Sequence, residues 1–343
     1  MAVYTTIDDP AQYFQTVTYS GNGSNDHTIT GVGFNADFVW NKLRNGTDDH
    51  RLFNQVAGID KYLESSNTDT EVTDAILTTN SDGYVLTNAG EVNSGSGTYV
   101  GWNWKANGSG SSNTDGSINT TATSANTTAG FSIVTWTGDE GSSATLGQGL
   151  GAVPKMIITK GRTYASSWAT FHASMGATKW FQMCETDAVA TASTIWNDTE
   201  PTSTLFTVGS SNQVNDAYNY LAYVFAEKQG FSKFGSYVGN GNADGPFVYT
   251  GFRPAFILYK NTARAISWLI HDNKRLGYNV NNDEQHPDTD AADGTDDRAD
   301  ILSNGFKIRE DSALMNTDGE TVIYAAFAEA PFCNSSGVPC NAR

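Results

Sequence analysis

One ten-residue pattern occurs three times in this chain, and its recurrence constrains the fold more than any other feature. The copies are GFNADFVWNK (Gly33 to Lys42), GAVPKMIITK (Gly151 to Lys160) and GFRPAFILYK (Gly251 to Lys260). Each ends on a lysine. Four residues earlier stands Phe38, Met156 or Phe256, and two residues earlier Trp40, Ile158 or Leu258. A strand alternates faces with a period of two, so two apolar side chains and the lysine share one face in every copy. Gly33, Gly151 and Gly251, with Pro154 and Pro254, supply the turn before the strand. The expectation for the lysine is a stem lying on the core and an ammonium in water.

Other anchors recur in the same order. Upstream, an aromatic precedes a glycine by two residues: Tyr19 and Gly21, Trp136 and Gly138, Tyr237 and Gly239. Downstream comes an indole or its substitute, His50, Trp168 or Trp268. Turn-and-strand stretches such as SDGYVL (Ser81 to Leu86) and SNGFKI (Ser303 to Ile308) follow. Each copy closes on an aromatic strand, in which Val100, Trp102 and Trp104 match Leu221, Tyr223 and Phe225, then Ile323, Ala325 and Phe327. From first to last aromatic the copies span 85 (19 to 104), 89 (136 to 225) and 90 (237 to 327) residues.

The predicted fold is therefore all-β: three tandem β-sandwich-like repeats of about 90 residues, each of roughly six to eight short strands, with a pseudo-threefold packing as one arrangement. A barrel or a three-lobed closed assembly also fits. Helix is expected to be scarce, with short permissive pieces near Gly58 and Gly176. The boundaries are 1–106 for an N-terminal arm and repeat 1, 107–130 for a polar linker, 131–229 for repeat 2, 230–332 for repeat 3 and 333–343 for a C-terminal tail. The first half of the linker reads as flexible, and its second half, alternating Thr and Ser, as able to join a sheet edge. The short junction EKQGFSKFGS implies close packing of repeats 2 and 3.

Composition agrees with turns and strands. Of 343 residues only 17% are charged, and 12% are aromatic. A net charge of −17 repels phosphate backbones and anionic membranes, so neither nucleic acid nor membrane is an expected partner. The start MAVYTTIDDPAQYF has neither the basic nor the apolar stretch of a secretory signal, and no apolar run approaches the ~20 residues of a membrane span. Cys184, Cys333 and Cys340 form no CxxC pair. Cys333 and Cys340 could close a small loop under oxidant, but free thiols are the reading adopted.

The sequence offers little chemistry. It has no P-loop, HExxH or GxSxG. His172 and His271 follow Trp168 and Trp268, and His271 with Asp272 resembles half a hydrolase triad. Both lie on a repeated strand where the first copy has Asn54, so a structural role is expected. The acidic stretch from Asn281 to Asp300 invites glycoside cleavage or calcium. With Gly294 as loop glycine, EF-hand positions one and three fall on Thr289 and Ala291, which carry no carboxylate, so a solvated acidic loop is expected. Trp102, Trp104 and Trp168 are candidate sugar platforms, although their alternation favours core packing. Asn-x-Ser/Thr triplets, as at Asn45 and Asn197, mean little in so Asn- and Thr-rich a chain. No catalytic, cofactor-binding or metal-ligating residue is assigned, and no cofactor is expected.

The opening YTTIDDPAQYFQTVTYSGNGS resembles the start of virion structural proteins of marine tailed bacteriophages. TAGFSIVTWTG, GLGAVPKMIITK, WNDTEPTSTLFTVGS, FSKFGSYVGNGNADGPFVYTGFRPAFILYK and YAAFAEAPF resemble further segments of them, over Val3 to about Phe332. The resemblance implies a non-enzymatic virion component, foremost a tail-fibre or host receptor-binding protein, made in the host cytoplasm and released by lysis. It also implies other virion proteins as partners, a host surface glycan or protein as target, and a homo-oligomer, a trimer among the options. Loops such as Asn281 to Arg298 would contact the host. Two alternatives stand beside it: a decorating protein of capsid or tail without receptor contact, and a glycan-cleaving tailspike. A bacterial carbohydrate-binding module ranks behind these. No heptad stretch provides a coiled-coil shaft.

Overall fold

The computed structural model describes residues 4–276 and 278–340. Met1–Val3, Gly277 and Asn341–Arg343, which include the ends of the expected arm and tail, lie outside the described residues. The chain is nearly all β, in antiparallel sheets, as the alternating patterns predict.

One strand order recurs in three main sheets. The first contains, from edge to edge, Phe14–Ser20, Thr98–Trp104, Phe38–Leu43, Arg51–Asn54, Gly58–Glu64 and Val72–Thr73. The second contains Ala122–Asn126, Phe131–Thr137, Asn219–Ala226, Pro154–Gly161, Ala169–His172, Lys179–Gln182 and Ala190–Thr191. The third contains Ser232–Val238, Thr321–Pro331, Phe252–Asn261 and Leu269–Asp272. In each, the last long strand of its stretch lies between the first and the lysine-bearing strand. Each sheet faces a small one. The smaller partners are His27–Ile29 with Gly83–Leu86 and Leu77–Asn80; Ala144–Gly147 with Leu205–Val208; and Phe247–Tyr249 with Gly305–Ile308 and Ala299–Leu302. These three sheet pairs are called the first, second and third units below.

The face shared by the repeated residues is the common core. Phe38, Met156 and Phe256 join Trp40, Ile158 and Leu258, and Trp104, Phe225 and Phe327, around a small apolar cavity of about 20 Å³. Rings from different units touch there: Phe38 stacks on Tyr223 at 4.1 Å, and Trp104 meets Phe256 and Phe327, both at 5.5 Å. The other faces of the first and second sheets enclose separate cores within their own units.

The marker glycines are steric necessities. A Cβ on Gly21, Gly138 or Gly239 would lie 2.0, 2.1 or 2.2 Å from the carbonyl oxygen of Ser94, Asp216 or Thr317. The residues just before those carbonyls are Asn93, Asn215 and Asn316, all buried. Their side-chain oxygens accept the N–H groups of Asn22, Asp139 and Asn240 at 2.9, 3.1 and 2.8 Å. A buried asparagine thus closes the same turn in each unit.

Several sequence expectations are corrected. The first half of the linker is not a free tether: Ser111 bridges Thr123 and Ile118 bridges Leu146. Its second half does join a sheet edge, as Ala122–Asn126. Gly58 opens a strand and Gly176 sits in a turn, while among the described residues the α-helices are Gly90–Asn93 and Ser193–Trp196, with a 3-10 helix at Pro10–Gln12. The lysine ammoniums are not in water, as described next.

Candidate functional site

The residues singled out for chemistry converge on the contacts between units. Lys42, Lys160 and Lys260 are almost wholly buried. Lys160 Nζ donates to the carbonyl of Ser166 at 2.8 Å and to that of Thr68, in the first unit, at 3.0 Å. Lys260 Nζ donates to Ile266 and, in the second unit, to Thr186 at 2.7 Å. Lys42 Nζ donates to Leu43 at 2.6 Å and, in the third unit, to Asp290 at 3.2 Å. Burial pulls all three amines down to about 8.

The indole positions follow the same circuit. Trp168 Nε1 donates to Glu64 at 2.8 Å and Trp268 Nε1 to Gln182 at 3.1 Å. His50 takes that place in the first unit. Its Nδ1 accepts from Trp40 Nε1 at 2.9 Å, which leaves Nε2 to donate to the His286 carbonyl at 3.1 Å. The acceptors fall four residues apart in every unit: Glu64 and Thr68, Gln182 and Thr186, His286 and Asp290. The second unit therefore grips the first, the third grips the second, and the first grips the third.

A second set of contacts runs the other way. Strand pairing aligns Asn54, His172 and Asp272, opposite Phe38, Met156 and Phe256. Matching His172 with His271 by sequence is therefore one residue out of register. Asn54 Nδ2 reaches Tyr223 Oη at 3.4 Å in the second unit, and His172 Nε2 reaches the Tyr324 carbonyl at 3.1 Å in the third. Asp272 Oδ2 accepts from Trp102 Nε1, in the first unit, at 3.0 Å. His271 points to the opposite face of its strand, beside the Tyr259 ring at 5.6 Å, with neither ring nitrogen hydrogen-bonded. Burial pulls His172 down to about 4 and His271 to about 3. Trp102, Trp104 and Trp168 are fully buried, so none is a surface platform for sugars.

The acidic stretch is not a solvated loop. Arg275 is buried and pairs with Asp272 at 2.6 Å and Asp293 at 2.9 Å. Arg44 of the first unit pairs with Asp283 at 3.0 Å and Asp293 at 2.7 Å. Arg298 pairs with Glu284, with Asp296 at 2.5 Å and with Glu310 at 2.6 Å. Burial opposes ionisation of Asp272, but Arg275 and the N–H groups of Arg275 and Lys274 outweigh it and hold the carboxyl below its usual range. At Glu284 burial is likewise outweighed, by His286 and Arg298, and the carboxyl falls to about 2. Asp283, Glu284, Asp293 and Asp296 are committed to arginines, and among the described residues no cluster of His, Cys, Asp or Glu is arranged to hold a metal ion. The stretch expected to face a host is folded onto the first unit.

The cysteines are free. Cys333 lies opposite Pro339, and the Cys340 N–H donates to Phe332 at 3.0 Å, a register that turns the two side chains to opposite faces.

A family model described as a domain of unknown function, DUF7483, matches residues 9–331. The chain belongs to the DUF7483 family. In this DUF7483 chain the match takes in all three units and the lysine, indole and carboxylate contacts between them. No curated protein and no solved structure matches the sequence. Among the described residues no helix is long and apolar enough to cross a membrane.

Proposed function

We propose that this DUF7483 chain is a structural protein of a phage particle, foremost a tail-fibre or host receptor-binding component. The observation that carries the reading is the closed circuit of contacts between units. Residues with the chemistry of a site, three lysines, two histidines and a cluster of carboxylates, are turned inward and used to lock three sheet pairs together. Such a body suits a particle exposed to proteases and dilution, because opening one unit breaks contacts to both neighbours. The resemblance of its segments to marine phage virion proteins supports the same assignment, and on that reading its partners are other virion proteins and a host surface glycan or protein.

A decorating protein without receptor contact is the second reading. The folding back of Asn281 to Arg298 onto the first unit favours it, since the most individual loop of the chain is spent internally. A tailspike needs a carboxylate pair facing a cleft, and the acidic stretch presents carboxylates paired with arginine instead.

Mass spectrometry of purified particles tests the virion assignment; absence of the protein there would sink it. Binding of the purified, labelled protein to host cells, in competition with phage adsorption, separates the two readings. Saturable binding that blocks adsorption supports receptor contact, and no binding by folded protein leaves the decorating role.

A further inference from the structure

We infer that the outer edge of Phe247–Tyr249, in the third unit, is a strand-addition site for an extended segment of another protein. The inference rests on a comparison inside the molecule. In the second unit the equivalent strand is Ala144–Gly147. Leu146 pairs with Phe206 as Val248 pairs with Phe306, and all four are buried. There the chain's own linker covers the outer edge. Ile118 N–H donates to the Thr145 carbonyl at 3.2 Å, the Thr145 N–H donates to Ser117 Oγ at 2.9 Å, and the Ser117 N–H donates to Thr145 Oγ1 at 2.8 Å. Ile118 packs against the core of that unit.

The third unit has no such cover among the described residues. Its strand bonds inward through Pro246 and Thr250, which pair with Ile308 and Asn304. By the antiparallel alternation the N–H and C=O groups of Phe247 and Tyr249 point outward, and neither has a partner there. The two side chains are 48% and 58% exposed. An edge with unpaired backbone and flanking aromatics is a template for an added strand. In the first unit the equivalent outward residue is Thr28, exposed and polar, so apolar reward is found only in the third unit.

A groove of about 320 Å³ continues from Tyr249 past Tyr4, Glu227, Lys233 and Phe332, giving room for the incoming chain to run on. The occupant is another protein rather than a second copy. Among the described residues the only segment seen in that role is held on its own second unit, and a net charge of −17 repels a like molecule. The chemistry that fits is an extended, proline-free, non-acidic segment with a small hydroxyl residue beside a β-branched aliphatic one, as in Ser117–Ile118.

The test appends residues 116–121, which carry no acid, through a flexible Gly/Ser linker after Arg343; Phe332 and Cys333 line the groove, and a linker long enough to return to it gives a millimolar effective concentration. Amide hydrogen exchange is then compared in the fused and unfused chains. The expected result is slowed exchange at Phe247 and Tyr249 in the fusion. Protection at the remaining Tyr249 amide is lost in Phe247→Pro, which removes one outward N–H without touching the bonds of Pro246, Val248 or Thr250. Unchanged exchange at both amides in the folded fusion would overturn the inference. So would a concentration-dependent dimer of the unfused chain that protects the same amides, since the edge would then belong to self-pairing.

Discussion

The indole Nε1 of Trp102 donates to Oδ2 of Asp272 at 3.0 Å, joining positions 170 residues apart. Asp272 also holds the buried guanidinium of Arg275, which lies 5.6 Å from the centre of the Trp102 ring. One carboxylate thus serves both the closure of the first unit on the third and the folding of the acidic stretch.

Removing that carboxylate leaves the buried guanidinium of Arg275 with Asp293 as its one carboxylate partner. Asp272→Ala is expected to cost about 3–5 kcal/mol, the range for breaking a buried ion pair. Trp102→Phe, which loses one hydrogen bond to a charged acceptor, is expected to cost about 1.5–3 kcal/mol. Denaturant titration of both variants checks the order as well as the sizes.

The three buried lysines make stability depend on pH. An amine of about 8 in the folded chain and 10.5 in the unfolded one is a depressed base. Between these values the unfolded state binds more protons, so stability rises as pH goes from about 8 to about 10, by up to about 3 kcal/mol per lysine. Buried phenols such as Tyr223 and Tyr84, raised by burial, lose stability above their unfolded value of 10 and end the rise. Lys160→Met is expected to remove about a third of the slope. Melting temperatures across pH 7.5–10 decide this.

His172 works on the acid side. Burial holds it at about 4, against 6.5 unfolded, so the stability it contributes is whole above pH 6.5 and is lost as pH falls toward 4. His172→Gln, which keeps a donor for the Tyr324 carbonyl, is expected to flatten that part of the profile. An unchanged slope between pH 6.5 and 4 would assign the loss to other groups.

Calcium is expected to leave the acidic stretch unaffected, because Asp283, Glu284 and Asp293 are paired with arginine. Melting temperatures in millimolar calcium and in chelator should coincide. Arg298→Ala should lower the melting temperature in both conditions, since it frees Glu284 in a buried site.

The sequence showed where the common core would be. The alternation of Phe38 and Trp40, and of their counterparts, named the inward face, and the paired aromatic and glycine residues marked closures that a Cβ would block. It misled at the lysines. A lysine ending an apolar strand ordinarily snorkels to water, and only the neighbouring unit, which supplies the carbonyls of Asp290, Thr68 and Thr186, explains the burial. Asn93, Asn215 and Asn316 do not stand out in so asparagine-rich a chain. Their signal was a constant place one residue before the carbonyl facing Gly21, Gly138 or Gly239. His172 and His271 look equivalent because they share a residue type, whereas strand register aligns His172 with Asp272. The acidic stretch reads as solvated in the sequence because two of its partners, Arg44 and Arg275, lie outside it.

The three units form one closed, mutually dependent body, and scanning calorimetry is the decisive measurement of that dependence. A single transition is expected, with calorimetric and van't Hoff enthalpies in agreement, displaced as a whole by Trp102→Phe or Asp272→Ala. Separate transitions, with only one of them moved by these substitutions, would contradict it.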